Sequence, residues 1–193
     1  NDPWRVFLTT DHPNGAPFTT YPHLIRLLMD KTFRNEQLRR IHPGAQAATI
    51  LGSITREYSL YEIAIMTRAG PAKSLGLRDR GHLGPGACAD ITVYDDNPDR
   101  EAMFTTPAFV FKNGEMIVRN GKIVKVVTGA THVVRPEYDR KRTEKPLKDY
   151  FDTYHTVQME NFRLHDDEII TAGCGHAPGT CGCLIVQPVG ARK

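Results

Sequence analysis

The stretch Asp11-His12-Pro13-Asn14-Gly15 places a carboxylate, an imidazole and an amide side by side, directly after the apolar run Val6, Phe7 and Leu8. A carboxylate can accept a proton or ligate a metal, so Asp11 is a candidate general base and a candidate metal ligand. His12 and Asn14 are candidate substrate-binding residues, since each can hydrogen-bond a polar ligand. Residues 6–8 read as a short buried strand, because a continuous apolar run bounded by polar and turn residues is what a parallel sheet produces. Asp11 then stands at the carboxyl edge of that strand, where parallel α/β sheets collect their chemistry. The same residues also suit a plain tight turn, which uses Asp, Pro, Asn and Gly in any loop.

A second constellation is Cys174, His176, Cys181 and Cys183, which holds three of the four cysteines. Three thiolates and an imidazole can bind zinc, but common frames separate two ligand pairs by about a dozen residues or more. We therefore expect free thiols on a glycine-rich tail, and no disulfide in a reducing compartment. Cys88 reads as a small buried apolar residue. Gly81, Gly84 and Gly86 do not match the dinucleotide fingerprint and follow no strand, so no nucleotide cradle is expected. None of the eight histidines forms a His-x-His pair. His23, His42, His82, His132, His155 and His165 lack metal-like spacing and read as surface or packing residues.

The elements that must position these groups follow from periodicity. Leu24, Leu27 and Leu28 mark an amphipathic helix from about residue 22, with Pro22 in its first turn. A polar helix is expected over residues 35–41, ended by His42-Pro43-Gly44. Residues 45–54 are ambiguous, since alanines favour a helix while Gly52, Thr49 and Ile50 weaken it. Ser59-Leu-Tyr-Glu62 is a capping box, opening a helix in which Leu60, Ile63, Ala64 and Thr67 share a face. Gly70-Pro71 should break that helix, and a short turn from Pro71 should end at Gly76. Beyond Gly81 the period becomes two, predicting strands over 89–94, 109–111, 116–118 and 123–127. Asn113-Gly114 and Asn120-Gly121 predict type I′ hairpins, because both turn residues need positive φ. Past Gly129 the chain is basic, with Tyr138, Tyr150, Phe151, Tyr154 and Phe162 spaced along it. That segment suits either a cover for the chain's own barrel or an arm that docks on a partner in a larger complex.

Two longer motifs, TTDHPNGAPFTTYP and YEIAIMTRAGPAKSLGLRDRGHLGPGACADITVYD, resemble the C-terminal third of the hydrolase component (FwdA type) of formylmethanofuran dehydrogenase and of its counterpart in bacterial formyltransferase/hydrolase complexes. This is a branch of the amidohydrolase superfamily, and the likeness runs over residues 1–162. The resemblance implies an α/β fold: the C-terminal portion of a (β/α)8 barrel, with the C-terminal strands of a flanking β-sandwich. Residues 1–80 would be the last β/α unit, 81–135 the sandwich strands, and 136–193 an extension with a Cys-rich tail. It implies a binuclear zinc site whose remaining ligands lie outside this chain, with Asp11 as metal ligand and proton shuttle. The implied reaction is hydrolysis of N-formylmethanofuran to formate and methanofuran, methanofuran being the substrate carrier. The implied partners are a formyltransferase and the other components of a hetero-oligomer. The alternative is a non-catalytic lobe that scaffolds a separately encoded hydrolase barrel.

A length of 193 residues allows a real core but falls short of the roughly 250 residues of a complete barrel. We therefore expect a processed, split or truncated piece that lacks barrel strands one to seven. No stretch reads as a membrane span or signal peptide, so a soluble, cytoplasmic protein is expected. A net charge of +3, spread along the chain, suggests neither nucleic acid nor membrane as a partner. An isolated last strand would leave unpaired edges and exposed apolar faces. Residues 1–193 expressed alone are accordingly expected to be insoluble or poorly folded. Size-exclusion chromatography and thermal melting check this, and a monodisperse, cooperatively melting monomer would contradict it.

Overall fold

A computed structural model describes residues 2–127, 129–135, 137–162, 165, 168 and 184–187. The chain divides into two compact units, residues 1–127 and 128–193. Helices and strands alternate, in agreement with an α/β class.

The first unit opens with a 3₁₀ turn, Pro3–Arg5, capped by the Asp2 side chain. Residues 6–8 follow, and here the structure corrects the sequence-based expectation of a buried strand. They join no β ladder among the described residues, and Phe7 is 45% exposed. The run has the composition of a sheet-core strand, but no described strand lies beside it to pair with its backbone. Side-chain packing holds it instead. The Phe7 ring lies so close to Gly70 that a Cβ there would come within 2.8 Å of it. Lys73 sits 5.0 Å over the Trp4 ring, a cation–π contact.

Helix α1, Tyr21–Met29, carries Pro22 in its first turn, where the missing N–H is not needed. Helix α2, Lys31–Arg40, starts earlier than the apolar pattern predicts. Asp30 is the reason, since its side chain accepts the Phe33 N–H at 2.8 Å and caps the first turn. His42-Pro43-Gly44 also opens a helix, α3 (Pro43–Ala48), with His42 Nδ1 accepting the Gly44 N–H at 3.1 Å.

Helix α4, Leu60–Ala64, begins with both halves of the expected capping box. Ser59 Oγ accepts the Glu62 N–H at 3.3 Å, and the Glu62 carboxylate accepts the Ser59 N–H at 2.9 Å. That hydrogen bond holds the Glu62 carboxyl below its ordinary range. Gly70-Pro71 does not break the helix as expected. A π turn, Ile65–Ala69, leads straight into α5, Gly70–Ser74. Proline lacks an N–H and crowds the carbonyl four residues back, and the wider turn before it relieves that conflict. Helix α5 ends as predicted at Gly76 (φ +73°), with Gly76 N–H donating to Lys73 and Leu77 N–H to Ala72, the Schellman pattern. The buried stripe is Ile63, Met66 and Gly70. It is displaced from the predicted face, as Leu60 and Ala64 are exposed.

Strands β1 (Ile91–Val93), β2 (Phe109–Lys112), β3 (Glu115–Arg119) and β4 (Lys122–Ile123) form an antiparallel meander in sequence order. Both Asn-Gly pairs have positive φ, as the hairpins require. Helix α6, Arg100–Thr105, interrupts the strands without having been anticipated, and Asp99 caps it by accepting the Glu101 and Ala102 amides. It clasps α1. Arg26 pairs with Asp99 at 3.3 Å and Glu101 at 3.6 Å, and His23 meets Glu101 at 3.2 Å. Arg26 also lies 4.0 Å over the Phe33 ring. The change of grammar near Gly81 thus falls inside this unit.

In the second unit, β5 (Thr131–Val134) pairs in parallel with β6 (Leu184–Gln187). Helix α7, Arg140–Tyr154, is capped by Asp139, and its Phe151 packs on Phe162 at 5.3 Å. Tyr150 and Tyr154 are exposed. Cys174, His176, Cys181 and Cys183 lie outside the described residues. No helix among the described residues is long and apolar enough to cross a membrane.

The capping box gives a local stability test. Ser59→Ala removes one of its two hydrogen bonds and should weaken the first turn of α4 by about 1 kcal/mol. Faster hydrogen exchange confined to the amides of residues 60–64 is the expected result, while a Leu51→Ala control should leave those amides unchanged.

Candidate active site

Asp11 sits in a closed loop. Its backbone is left-handed, with φ +52°, a region a non-glycine residue occupies only when its surroundings hold it there. Three hydrogen bonds do so. The Asp11 N–H donates to Thr9 Oγ1 at 3.1 Å, the Gly15 N–H to the Asp11 carbonyl at 2.8 Å, and the Ala16 N–H to the Thr10 carbonyl at 2.9 Å. A Cβ on Gly15 would lie 2.6 Å from the Thr10 oxygen, so the closure requires glycine at that position. Thr10 is 5% exposed and anchors the loop base, while Asp11, His12 and Asn14 are all exposed.

The Asp11 carboxylate accepts no hydrogen bond from a described residue. It projects from the loop as a free base and a free oxygen donor. Asp11 does not end a β ladder, because residues 6–8 form none among the described residues, yet the loop still presents it at the end of an extended segment. The peptide between His12 and Pro13 is cis. The His12 ring stacks on Phe18, with centroids 4.0 Å apart and planes 23° apart. Asn14 shares the loop, and the backbone of that one turn is what brings the three residues together. An open cleft of about 430 Å³ is bordered by Leu8, Tyr21, Ile25, Arg68, Tyr94 and Phe104, and none of the three lines it.

The other concentration of charge lies between the helices and the sheet. Arg80 pairs with Asp79 at 3.2 Å and Asp90 at 3.3 Å, and Lys112 pairs with Asp90 at 2.7 Å. Cys88 belongs to this network and is not the apolar residue expected: it is half-buried, and Sγ donates to Asp79 Oδ2 at 3.1 Å. The turn that bonds Cys88 N–H to the Asp79 carbonyl delivers it there. The Arg80 guanidinium, then the Cys88 thiol, hold the Asp79 carboxyl well below the carboxylate range. The hydrogen bond to Asp79, then burial, push the Cys88 thiol up, which opposes a nucleophilic role. Every member of the network has a partner, so its role is to join the two layers.

Sequence reasoning overlooked Phe18 and Thr10. The signal for Phe18 was its position in APF, just past the turn. Nothing in the sequence distinguishes Thr10 from Thr9.

Residues 1–125 match the amidohydrolase family. The chain belongs to that family. The FhcA component of the formyltransferase/hydrolase complex Fhc of Methylorubrum extorquens is 46% identical over 154 residues, covering 78% of this chain and 28% of that protein. Protein FwdA of Methanocaldococcus jannaschii is 41% identical over 174 residues, covering 84% of this chain and 31% of that protein. Within the family, this chain is therefore of the FwdA type, the hydrolase-like component of formylmethanofuran dehydrogenase. The crystal structure of the Methylorubrum extorquens formyltransferase/hydrolase complex FhcABCD with methylofuran aligns with a TM-score of 0.71 at 41% identity, covering 86% of this chain and 30% of that one. The chain spans about three tenths of the length of the relatives it matches.

Gly15→Ala should force the loop open and break the hydrogen bond between Ala16 and Thr10, at a local cost of about 1 to 3 kcal/mol. About tenfold or greater acceleration of hydrogen exchange at the Ala16 amide is expected. Asn14→Ala, which touches neither hydrogen bond, should leave that amide unchanged.

Proposed function

We propose that this chain is the part of a metal-dependent amidohydrolase that carries the proton-transferring carboxylate, Asp11, in hydrolysis of N-formylmethanofuran to formate and methanofuran. The carrying observation is an exposed carboxylate without a partner among the described residues, held on a rigid loop in a chain of this family. On this reading the extended segment 6–10 is the last strand of a barrel whose other strands lie outside the chain. Residues 81–135 contribute the sandwich strands, and residues 136–193 form the extension.

The fit to zinc is partial. No group of three or more His, Cys, Asp and Glu side chains that could hold a metal occurs among the described residues, whereas a catalytic zinc takes about three protein ligands. Asp11 fits as one oxygen donor, and the other ligands of a binuclear centre would have to come from outside this chain. When bound, the metal supplies polarisation of the formyl carbonyl and a water of lowered pKa.

Asp11 accepts the proton of the attacking water as the bond to the formyl carbon forms. It returns that proton to the nitrogen as the carbon–nitrogen bond breaks, because an amide anion is too poor a leaving group to depart unassisted. His12 and Asn14 offer hydrogen bonds that orient the substrate beside the carboxylate. A formyltransferase would supply the formylated carrier within a cytoplasmic hetero-oligomer, and the likeness to a chain of the FhcABCD complex supports the hetero-oligomeric setting. The second reading, a structural lobe on a separately encoded barrel, is favoured by apolar side chains left open, such as Ile50 at 78% and Leu83 at 82% exposure. In that reading Asp11 does nothing.

Asp11→Asn in the complete assembly separates the two. It keeps one oxygen donor and removes the base, so hydrolysis should fall by at least about 10²-fold with folding and complex formation intact. His12→Gln should do less. Single-turnover hydrolysis, with metal content measured on the same preparation, checks this, and near wild-type turnover by Asp11→Asn would favour the structural lobe.

A further inference from the structure

Phe18 is 64% exposed, an unfavourable environment for a large apolar ring. The ring it stacks on is the imidazole of His12. Its backbone is well fixed. Phe18 opens the 3₁₀ turn Phe18–Thr20, in which the Thr20 N–H donates to the Pro17 carbonyl at 3.0 Å. The Tyr21 N–H donates to the Phe18 carbonyl, and Tyr21 begins α1. The ring is thus anchored to a helix, whereas the exposed His12 belongs to a turn. The nearly parallel arrangement at 4.0 Å gives the imidazole a rigid surface to lie on.

We propose that Phe18 is a positioning residue that acts through this stack, fixing the His12 imidazole beside Asp11 so that it meets the polar group of the amide substrate. This rests on the functional reading above, in which His12 orients substrate. Without the ring, His12 keeps its hydrogen-bonding atoms but samples several rotamers. The cost then falls on binding, which the imidazole serves, and the proton transfer at Asp11 is spared.

The experiment is steady-state hydrolysis of N-formylmethanofuran by the complete assembly carrying Phe18→Leu, Phe18→Tyr, His12→Gln or His12→Gln with Phe18→Leu. Phe18→Leu should raise KM about 3- to 10-fold with kcat within about twofold of wild type. Phe18→Tyr, which keeps the ring, should restore KM. In the His12→Gln background Phe18→Leu should add nothing, because residues that act as one unit are not additive. An unchanged KM for Phe18→Leu would overturn the proposal, as would the same increase with and without His12, or a fall in kcat matched by poor complex formation. If Asp11→Asn is impaired while Phe18→Leu is silent, only the positioning role fails. If the wild-type assembly does not hydrolyse the substrate, the functional reading fails and this proposal falls with it.

Discussion

Two short main-chain hydrogen bonds, from Gly15 to the Asp11 carbonyl and from Ala16 to the Thr10 carbonyl, fold residues 10–16 back on themselves. The closure leaves no room for a side chain at Gly15. It is also what keeps Asp11 on its left-handed backbone with the carboxylate turned outward. Both bonds are local, so the geometry of the loop needs no help from distant elements. Its placement does need help, because the segment leading into it pairs with no described strand. The Phe7 ring against Gly70 and Trp4 beneath Lys73 tie that segment to the helical run 65–74. The site thus stands on side-chain packing where a sheet would ordinarily carry it.

That packing is rooted in a modest core. Ile63 and Met66, each 1% exposed, form its centre, with Ile25, Phe33, Ile65 and Ala72 around them. Polar clasps extend it outward. Arg26 draws together α1 and α6 through Asp99 and Glu101, while stacking on Phe33 from α2. Arg80 ties the turn after α5 to the start of the sheet through Asp90, which Lys112 also holds. Partly exposed ion pairs contribute little energy individually. Their value here is geometric, since each selects one docking of a helix on its neighbour.

What could be read in the sequence was what short-range chemistry decides. The Ser59–Glu62 box, the Asn-Gly hairpins and the glycine after α5 each depend on a few adjacent residues, and each forms as expected. Features that depend on a partner could not be read. Residues 6–8 look like a core strand because their composition is right, but a strand is defined by its neighbour. Cys88 looks apolar until the chain folds Asp79 against it. Helix α6 begins at Asp99 amid polar residues, and only its contact with α1 makes it worth forming. Even the missed start of α2 had a local cause, the Asp30 cap, which apolar periodicity alone does not register. In the candidate site the loop was legible because turn formers and a carboxylate coincide there. The stack of Phe18 on His12 was not, since it depends on how the turn bends.

The unpaired segment and the free carboxylate are two aspects of one arrangement. A base that serves catalysis must face its substrate with water excluded around the reacting atoms, yet Asp11 is open to solvent. Among the described residues nothing closes over it. On the proposed reading, neighbouring strands would pair with residues 6–9, cover Phe7, and bring ligands and walls around the loop in the same step. The exposed carboxylate and the exposed backbone would then be satisfied together, so that chemistry appears only where assembly is complete. The loop itself requires no remodelling in that step, because its two closing hydrogen bonds already set the direction of Asp11. The chain is therefore rigid where the proton is handled and open where the rest of the site must join it.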